Sequence, residues 1–179
     1  MSRELSRKAY TDLFGATEGD RIRLGDTNLL AEIEKDHTTY GDEAVFGGGK
    51  TMRDGMGMQP GTTQAEGALD YVYTNVVLID PVLGVQKGDL GVRDGEVAGF
   101  GKAGNPDTMD GVDENLIIGA STDAVPADGL IATPGAFDIH VHFNSKELFE
   151  HALASGITTM FGGGYGGGAT TCTPGPENI

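Results

Sequence analysis

The sequence is poor in cysteine, in basic residues and in long apolar runs, and each scarcity excludes a class of protein. One cysteine, Cys172, among 179 residues rules out an internal disulfide and is typical of a reducing cytoplasm. Only 12 Lys and Arg stand against 27 Asp and Glu, a net charge of -15, which excludes a basic groove for nucleic acid. No apolar run approaches the length of a transmembrane helix, and the first residues lack the apolar stretch of a signal peptide. We therefore expect a cytoplasmic protein that binds neither nucleic acid nor membrane.

Acidic residues and glycines dominate what is present. The acids are dispersed along the whole chain, which indicates either an ordinary hydrated surface or adaptation to a high-salt cytosol. Thirty glycines without a collagen-like period predict strands, turns and loops rather than long helices.

The first 133 residues predict a β-rich domain, either a sandwich or a small barrel. Residues 5–14 favour a short helix that ends near Gly15. The turn signals Asp80-Pro81 and Asp94-Gly95 predict an antiparallel meander, and residues 58–67 resemble an exposed linker. The predicted strands cover residues 21–24, 30–33, 69–79, 87–92, 96–100, 115–119 and 129–133.

The pattern changes at Pro134, where a second domain, residues 134–179, is predicted to begin. A strand at 137–143, a helix at 144–153 with Asn144 as its N-cap, and a strand at 157–161 form a βαβ unit with parallel strands. The Pro- and Gly-rich stretch that follows predicts no further element. Because two parallel strands need more strands beside them, we expect this domain to be incomplete.

The strongest chemical signal is the sequence Asp138-Ile139-His140-Val141-His142. Alternate side chains of a strand share a face, so Asp138, His140 and His142 project together while the apolar residues project the other way. Neutral imidazole binds zinc, nickel, copper and iron alike, so the pair predicts a transition-metal site without selecting the metal. The alternative is an exposed strand with two solvated histidines.

The other histidines and the glycine-rich motifs predict no site. His37 lies among polar residues and is expected to be structural, while His151 falls in the last turn of the predicted helix, where the helix dipole favours it. The glycines of residues 162–167 follow a strand but no helix comes after them, so they do not form a dinucleotide fingerprint.

Several ordered blocks together resemble the urease alpha (catalytic) subunit family of the amidohydrolase superfamily. The resemblance runs from Ser6 essentially to Ile179 and covers about the N-terminal third of such a subunit. The blocks are FGGGK (46–50) with RDGMG (53–57), GKAGNPD (101–107), HVH (140–142), GITTM (156–160) and ATTCTPGP (169–176).

The resemblance implies a mixed fold: a β-sandwich-like N-terminal domain followed by the first βαβ unit of an incomplete (β/α)8 barrel. It implies that His140 and His142 bind one nickel of a two-nickel site at the end of the first barrel strand, in agreement with where barrel enzymes act. Ala169 would offer its backbone carbonyl to urea. A carboxylated lysine that bridges the two nickel ions is expected beyond residue 179.

The resemblance also implies partners: urea, the urease beta and gamma subunits, and accessory proteins that deliver nickel. The activity would be hydrolysis of urea to ammonia and carbamate, and the chain by itself is expected to be inactive. The chain departs from the family pattern at Gly166–Gly168, where the loop is about four residues shorter. Two alternatives remain: another binuclear amidohydrolase acting on cyclic amides, and a non-catalytic β module.

Overall fold

The structure is a computed structural model that describes residues 4–45, 52–143, 145–164 and 175–178. Its contacts divide the chain into two compact units, Met1–Ala132 and Thr133–Ile179. Most of the regular structure is strand, with two α-helices and one 3₁₀ turn among the described residues. None of the helices in these described ranges is long and apolar enough to cross a membrane.

The first unit begins with the predicted helix, α1 (Arg7–Phe14). The Ser6 hydroxyl accepts a hydrogen bond from the Ala9 amide at 3.2 Å, which satisfies one of the free N–H groups of the first turn. Gly15 ends the helix with φ 80°, a positive value that favours glycine. A hairpin of β1 (Arg21–Arg23) and β2 (Leu30–Glu32) follows, close to the predicted strands.

The main sheet of this unit is built on an antiparallel meander, as the turn signals predicted. Its strands are β4 (Tyr71–Asp80), β5 (Gly84–Arg93) and β6 (Glu96–Gly101). Asp94 and Gly95 both have positive φ, 55° and 77°, which matches the twist that a two-residue hairpin requires.

Three short strands complete the sheet by parallel pairing, which the sequence did not predict. They are β3 (Lys35–Asp36) beside β5, and β7 (Asp123–Pro126) and β8 (Ile131–Ala132) beside β4. The strand predicted at 115–119 is wrong, because its backbone bonds alternately to Gly104, Leu69 and Gln59 and never follows one partner. The predicted linker at 58–67 is also more ordered than expected, since it contains a 3₁₀ turn at Gln64–Glu66.

The core of the first unit lies against one face of the sheet. Its buried members are Met52, Leu69, Val72, Ala103, Leu116 and Ile118. Gly91 of β5 lies beneath this cluster, and a Cβ there would come within 2.5 Å of Leu116 and 2.8 Å of Leu69. The segment around Leu116 therefore fills the core although it forms no strand.

The second unit contains the predicted parallel βαβ arrangement. Strand β9 (Ala136–Phe143) pairs in parallel with β10 (Ile157–Gly164), and helix α2 (Glu147–Ala154) connects them. The helix begins at Glu147 after Lys146, later than predicted, and the proposed N-cap Asn144 lies outside the described residues. The expectation of no further element is wrong, because β11 (Gly175–Asn178) pairs antiparallel with β10.

Candidate functional site

The predicted metal ligands lie together on strand β9. The ring centres of His140 and His142 are 5.3 Å apart, with 50° between the ring planes, so both imidazoles project from the same face of the strand. Both residues are exposed within this unit, whereas Val141 between them is buried at 8% exposure. The strand thus places the two histidines on one face, while on the other face Val141 is packed and Phe137 and Ile139 remain exposed.

Packing on the opposite face fixes the position of the two histidines. Val141 contacts a small core that includes Ala152 of α2 and Met160 of β10. Gly162 pairs with Val141, and its lack of a side chain lets the β10 backbone lie directly against the Val141 carbonyl. The histidines are therefore held by a strand whose apolar side is anchored by a helix and a neighbouring strand.

Asp138 does not join the histidines as a third ligand. Its carboxylate accepts the backbone N–H of His140 at 3.1 Å, a local bond that stiffens the start of the polar face. Within residues 4–45, 52–143, 145–164 and 175–178, no group of three or more His, Cys, Asp or Glu side chains is placed to hold a metal ion.

Two imidazoles at this separation nevertheless fit a shared metal ion. With N–metal bonds of roughly 2.1 Å and a tetrahedral angle, two ligating rings have centres about 5 Å apart. The 5.3 Å separation of the rings lies close to that value. The pair can supply two ligands, and further ligands must come from outside the described residues.

Comparison with known proteins identifies the chain's family. The family described as the urease alpha-subunit, N-terminal domain, matches residues 3–125. The urease subunit alpha of Haloquadratum walsbyi is 84% identical over 179 residues, which is all of this chain and 31% of that protein. The chain belongs to the urease alpha-subunit family. The resemblance stated from the sequence is therefore confirmed.

Further members of the urease alpha family match over the same extent. The urease subunit alpha of Natronomonas pharaonis is 78% identical over the whole chain, which covers 31% of that protein. That of Yersinia pestis is 52% identical over 180 residues, covering 98% of this chain and 32% of that protein. The chain thus spans about a third of the length of these curated relatives.

The urease-like block GKAGNPD has a structural position in the first unit. Lys102, only 6% exposed, donates to the Asp42 carboxylate and the Thr39 hydroxyl, both at 2.9 Å, and to the Asp110 carbonyl at 2.6 Å. Because a buried ammonium has three protons to satisfy, these three acceptors match its capacity. The block therefore joins the loop after β3 to the loop after β6.

The same block also contacts the residues that follow RDGMG. Asp107 accepts a hydrogen bond from the Gln59 side chain at 2.8 Å, and the Asn105 side chain donates to the Met58 carbonyl at 3.4 Å. Two blocks that are far apart in sequence are thus neighbours in this unit. FGGGK (46–50), Ala169 and Cys172 lie outside the described residues.

The remaining histidines lie where the sequence predicted, His37 in a structural contact and His151 in the last turn of a helix. The His37 ring is hydrogen bonded to the Gln86 side chain at 2.8 Å and lies edge-on to Phe100, with ring centres 5.6 Å apart. His151 is exposed in the last turn of α2.

A buried charged cluster in the first unit was missed by sequence reasoning. Lys87 is fully buried and donates to the Phe14 carbonyl at 2.7 Å, while the Asp36 carboxylate lies 3.9 Å from its Nζ. Burial lowers the pKa of Lys87, and the nearby carboxylate of Asp36 partly opposes that effect. The signal available in the sequence was a lysine at 87 and an aspartate at 89 within the strand predicted at 87–92.

Asp89 is a second buried charge on β5. Its carboxylate accepts the backbone N–H groups of Asn75 at 3.0 Å and Ala103 at 2.8 Å. Burial raises the pKa of Asp89 to about 6 although these two hydrogen bonds favour the ionised form. Asn75 has positive φ, 57°, so the bond to Asp89 supports an unusual backbone conformation at the irregularity in β4.

Proposed function

We propose that the chain is the N-terminal part of a urease alpha subunit and contributes to hydrolysis of urea to ammonia and carbamate. The observation that carries this proposal is the pair His140 and His142, whose rings share one face of a parallel strand in a urease alpha family chain. Residues 1–133 would form the β-rich N-terminal domain. Residues 134–179 would begin a (β/α)8 barrel with β9 as its first strand.

In this proposal His140 and His142 are ligands of one nickel of a two-nickel site. Bound nickel supplies polarisation of the urea carbonyl and a metal-activated water near neutral pH. The chain's own contribution is to hold two neutral imidazoles in a fixed relation on β9, with Val141 packed behind them. Ala169 would bind urea through its backbone carbonyl. A carboxylated lysine and the other ligands would come from sequence beyond residue 179.

We also propose that the alpha-family chain works in the cytoplasm with urease beta and gamma subunits and nickel-delivering accessory proteins. The chain of 179 residues should release no ammonia from urea by itself. Two imidazoles leave most of the coordination of a two-nickel site unfilled, so the reacting oxygen could not be positioned.

One observation favours a second candidate function, that of a non-catalytic β module. The first unit has its own buried core and two ion pairs whose lysines are buried, the features of a domain able to fold alone. The names of the relatives favour urea over cyclic amides as the substrate of the catalytic alternative.

A chimera provides the decisive test of catalytic function. Residues 1–179 would replace the matching region of the Haloquadratum walsbyi urease subunit alpha, to which they are 84% identical. We expect nickel-dependent release of ammonia from urea, and a loss of about 100-fold or more on His140→Ala or His142→Ala. His151→Ala, an exposed histidine on α2, is the matched control and should retain activity. An active chimera that tolerates loss of both β9 histidines would refute the ligand assignment.

Metal binding by the chain itself gives a readout independent of activity. Addition of Ni²⁺ should broaden the NMR signals of the His140 and His142 rings before those of His37 and His151. Equal broadening of all four histidines would contradict a preferred site on β9.

A further inference from the structure

A cavity of about 600 Å³ opens in the first unit beside helix α1. The proposed nickel chemistry uses none of the residues that line it. We call it the Tyr10 cavity, and its walls include Arg7, Tyr10, Phe14, Thr17, Tyr40 and Glu43.

Glu43 is the chemically unusual member of this lining. Glu43 is only 8% exposed, and both of its carboxylate oxygens accept a hydrogen bond from the same Gly41 N–H, at 3.0 and 2.9 Å. A carboxylate has about four acceptor positions, and a buried charge without a counter-charge is costly. Within the described ranges no lysine, arginine or histidine forms a salt bridge with Glu43. The carboxylate therefore retains acceptor capacity at the cavity wall.

Aromatic rings line the same cavity as this carboxylate. The Tyr10 ring centre is 5.0 Å from that of Phe14 and 5.1 Å from that of Tyr40, the latter pair edge to face. Faces of aromatic rings attract cations, and Lys87 Nζ already lies 5.6 Å from the Tyr10 ring centre. Tyr40 is 67% exposed, so one ring of this group remains open to solvent.

The Tyr10 hydroxyl is a second polar group at the cavity wall. It is buried and forms no hydrogen bond of standard geometry among the described residues, but it lies close enough to the Glu43 carboxylate to interact with it. Burial, followed by the charge of Glu43, raises the pKa of Tyr10, so the phenol stays neutral and adds no negative charge of its own.

The resident cations near the cavity are engaged elsewhere. Arg7 binds the Asp20 carboxylate at 2.8 Å and donates to the Glu18 carbonyl at 2.6 Å. Lys87 is directed to the Phe14 carbonyl and lies near Asp36. Neither cation forms a salt bridge with Glu43, although Lys87 acts on its charge at longer range, so the cavity wall presents a carboxylate without a direct ion-pair partner beside aromatic faces.

We propose that the Tyr10 cavity binds a guanidinium or alkylammonium group, with Glu43 as the charged acceptor and Tyr10 and Tyr40 beside the cation. An arginine or lysine side chain of a partner polypeptide and a free amine share this chemistry. The proposal uses no residue of β9, and its test does not involve urea. Either this proposal or the urease proposal can therefore fail while the other stands.

The test uses small probes and NMR on the 179-residue chain. Methylguanidine, N-acetyl-arginine methylamide and N-acetyl-lysine methylamide should shift the Gly41 amide signal, which reports on the Glu43 carboxylate, and the ring signals of Tyr10 and Tyr40. The neutral N-acetyl-norleucine methylamide should shift them far less. Tighter binding of the capped amino acids than of methylguanidine assigns the site to a side chain, and the reverse assigns it to a small free cation.

Variants separate a charge-selective site from a merely apolar one. Glu43→Gln keeps the size of the side chain and should weaken binding of the cations about tenfold or more. Glu114→Gln, at an exposed position of the same unit, removes the same charge and should leave binding unchanged. Should Glu43→Gln fail to fold, Tyr40→Leu decides: it should weaken cation binding several-fold while the preference over norleucine remains. Equal binding of the norleucine probe, or full affinity in Glu43→Gln, would overturn the proposal.

Discussion

The two units of the chain differ in how much of their structure each can support alone. The first has a core of six buried side chains and encloses a lysine and an aspartate within its main sheet. The second has three buried core residues, Val141, Ala152 and Met160, and its strand β9 has no partner on one edge within the described residues. The histidines proposed to bind nickel thus lie in the unit with the smaller core. Precise ligand placement there depends on few contacts.

The largest expected effect tests whether the first unit folds on its own core. Leu116→Ala removes a fully buried side chain and should lower the free energy of unfolding of that unit by about 3–5 kcal/mol. Hydrogen exchange followed residue by residue should accelerate in β4 and β5 and stay unchanged in β9 and β10. Leu130→Ala, at 58% exposure, is the control and should have little effect. Equal acceleration in both units would mean that they unfold together.

The next prediction concerns Asp89, a buried carboxyl of the first unit. Because the pKa of Asp89 is raised to about 6 in the folded state, folding favours its protonated form. Its contribution to stability is complete below the unfolded pKa near 4 and is lost as the pH rises through 6, a change of about 3 kcal/mol.

Asp89→Asn should remove that dependence on pH. The amide can accept only one of the two backbone N–H groups with its oxygen, so the variant should also be less stable at neutral pH by about 1–3 kcal/mol. Urea unfolding curves measured from pH 4 to 7 check both effects. A variant whose stability still falls through this range in parallel with the parent would assign the titration to another group.

The sequence predicted the elements whose signals are local. The helix at α1, the meander of β4, β5 and β6, and the pair of parallel strands β9 and β10 follow from capping residues, turn residues and apolar alternation. The sequence failed where the partner is distant. Strands β3 and β7 are too short to carry a pattern of their own, and they exist because β4 and β5 offer open edges. Strand β8 lies within the strand predicted at 129–133, but its parallel pairing with β4 was not predicted.

The two candidate sites also differ in whether the sequence could predict them. His140 and His142 were predictable because a strand places alternate residues on one face, whatever surrounds it. Glu43 and Tyr10 were not, because the cavity brings together side chains from α1 and from the loop after β3. No local sequence pattern indicates that these side chains are close in space. Only the charged residues of β5 indicated that the first unit buries polar groups.

A smaller effect is expected from the closest backbone contact of the second unit. Gly162→Ala would bring a Cβ against the Val141 carbonyl and the Phe143 ring, so β10 must move away from β9. We expect a loss of about 1–3 kcal/mol, confined to the second unit, and faster exchange of the β9 amides. Gly61→Ala has open space around it and serves as the control. Unchanged exchange in β9 would mean that strand pairing does not hold the histidines.

The smallest predicted effect concerns a feature of both units, a glutamate whose carboxylate is hydrogen bonded near the start of a helical turn. Glu66 accepts the Thr63 backbone N–H at 3.0 Å and its hydroxyl at 2.8 Å, which lowers the pKa of Glu66 at the start of its 3₁₀ turn. The Ser145 side chain likewise lowers the pKa of Glu147 at the start of α2.

A lowered carboxyl pKa stabilises the fold above the unfolded pKa, and this contribution is lost as the pH falls through the folded value. Glu66→Gln should therefore slightly reduce the loss of stability of the first unit at low pH, and Glu147→Gln should do the same for the second unit. Amide exchange rates measured between about pH 3 and 6, where carboxyl groups titrate, check both effects. Glu114→Gln, an exposed carboxyl in the first unit, should alter neither. Because the second unit has the smaller core, the same loss should open it more often, so a larger response to Glu66→Gln than to Glu147→Gln would contradict the contrast between the units.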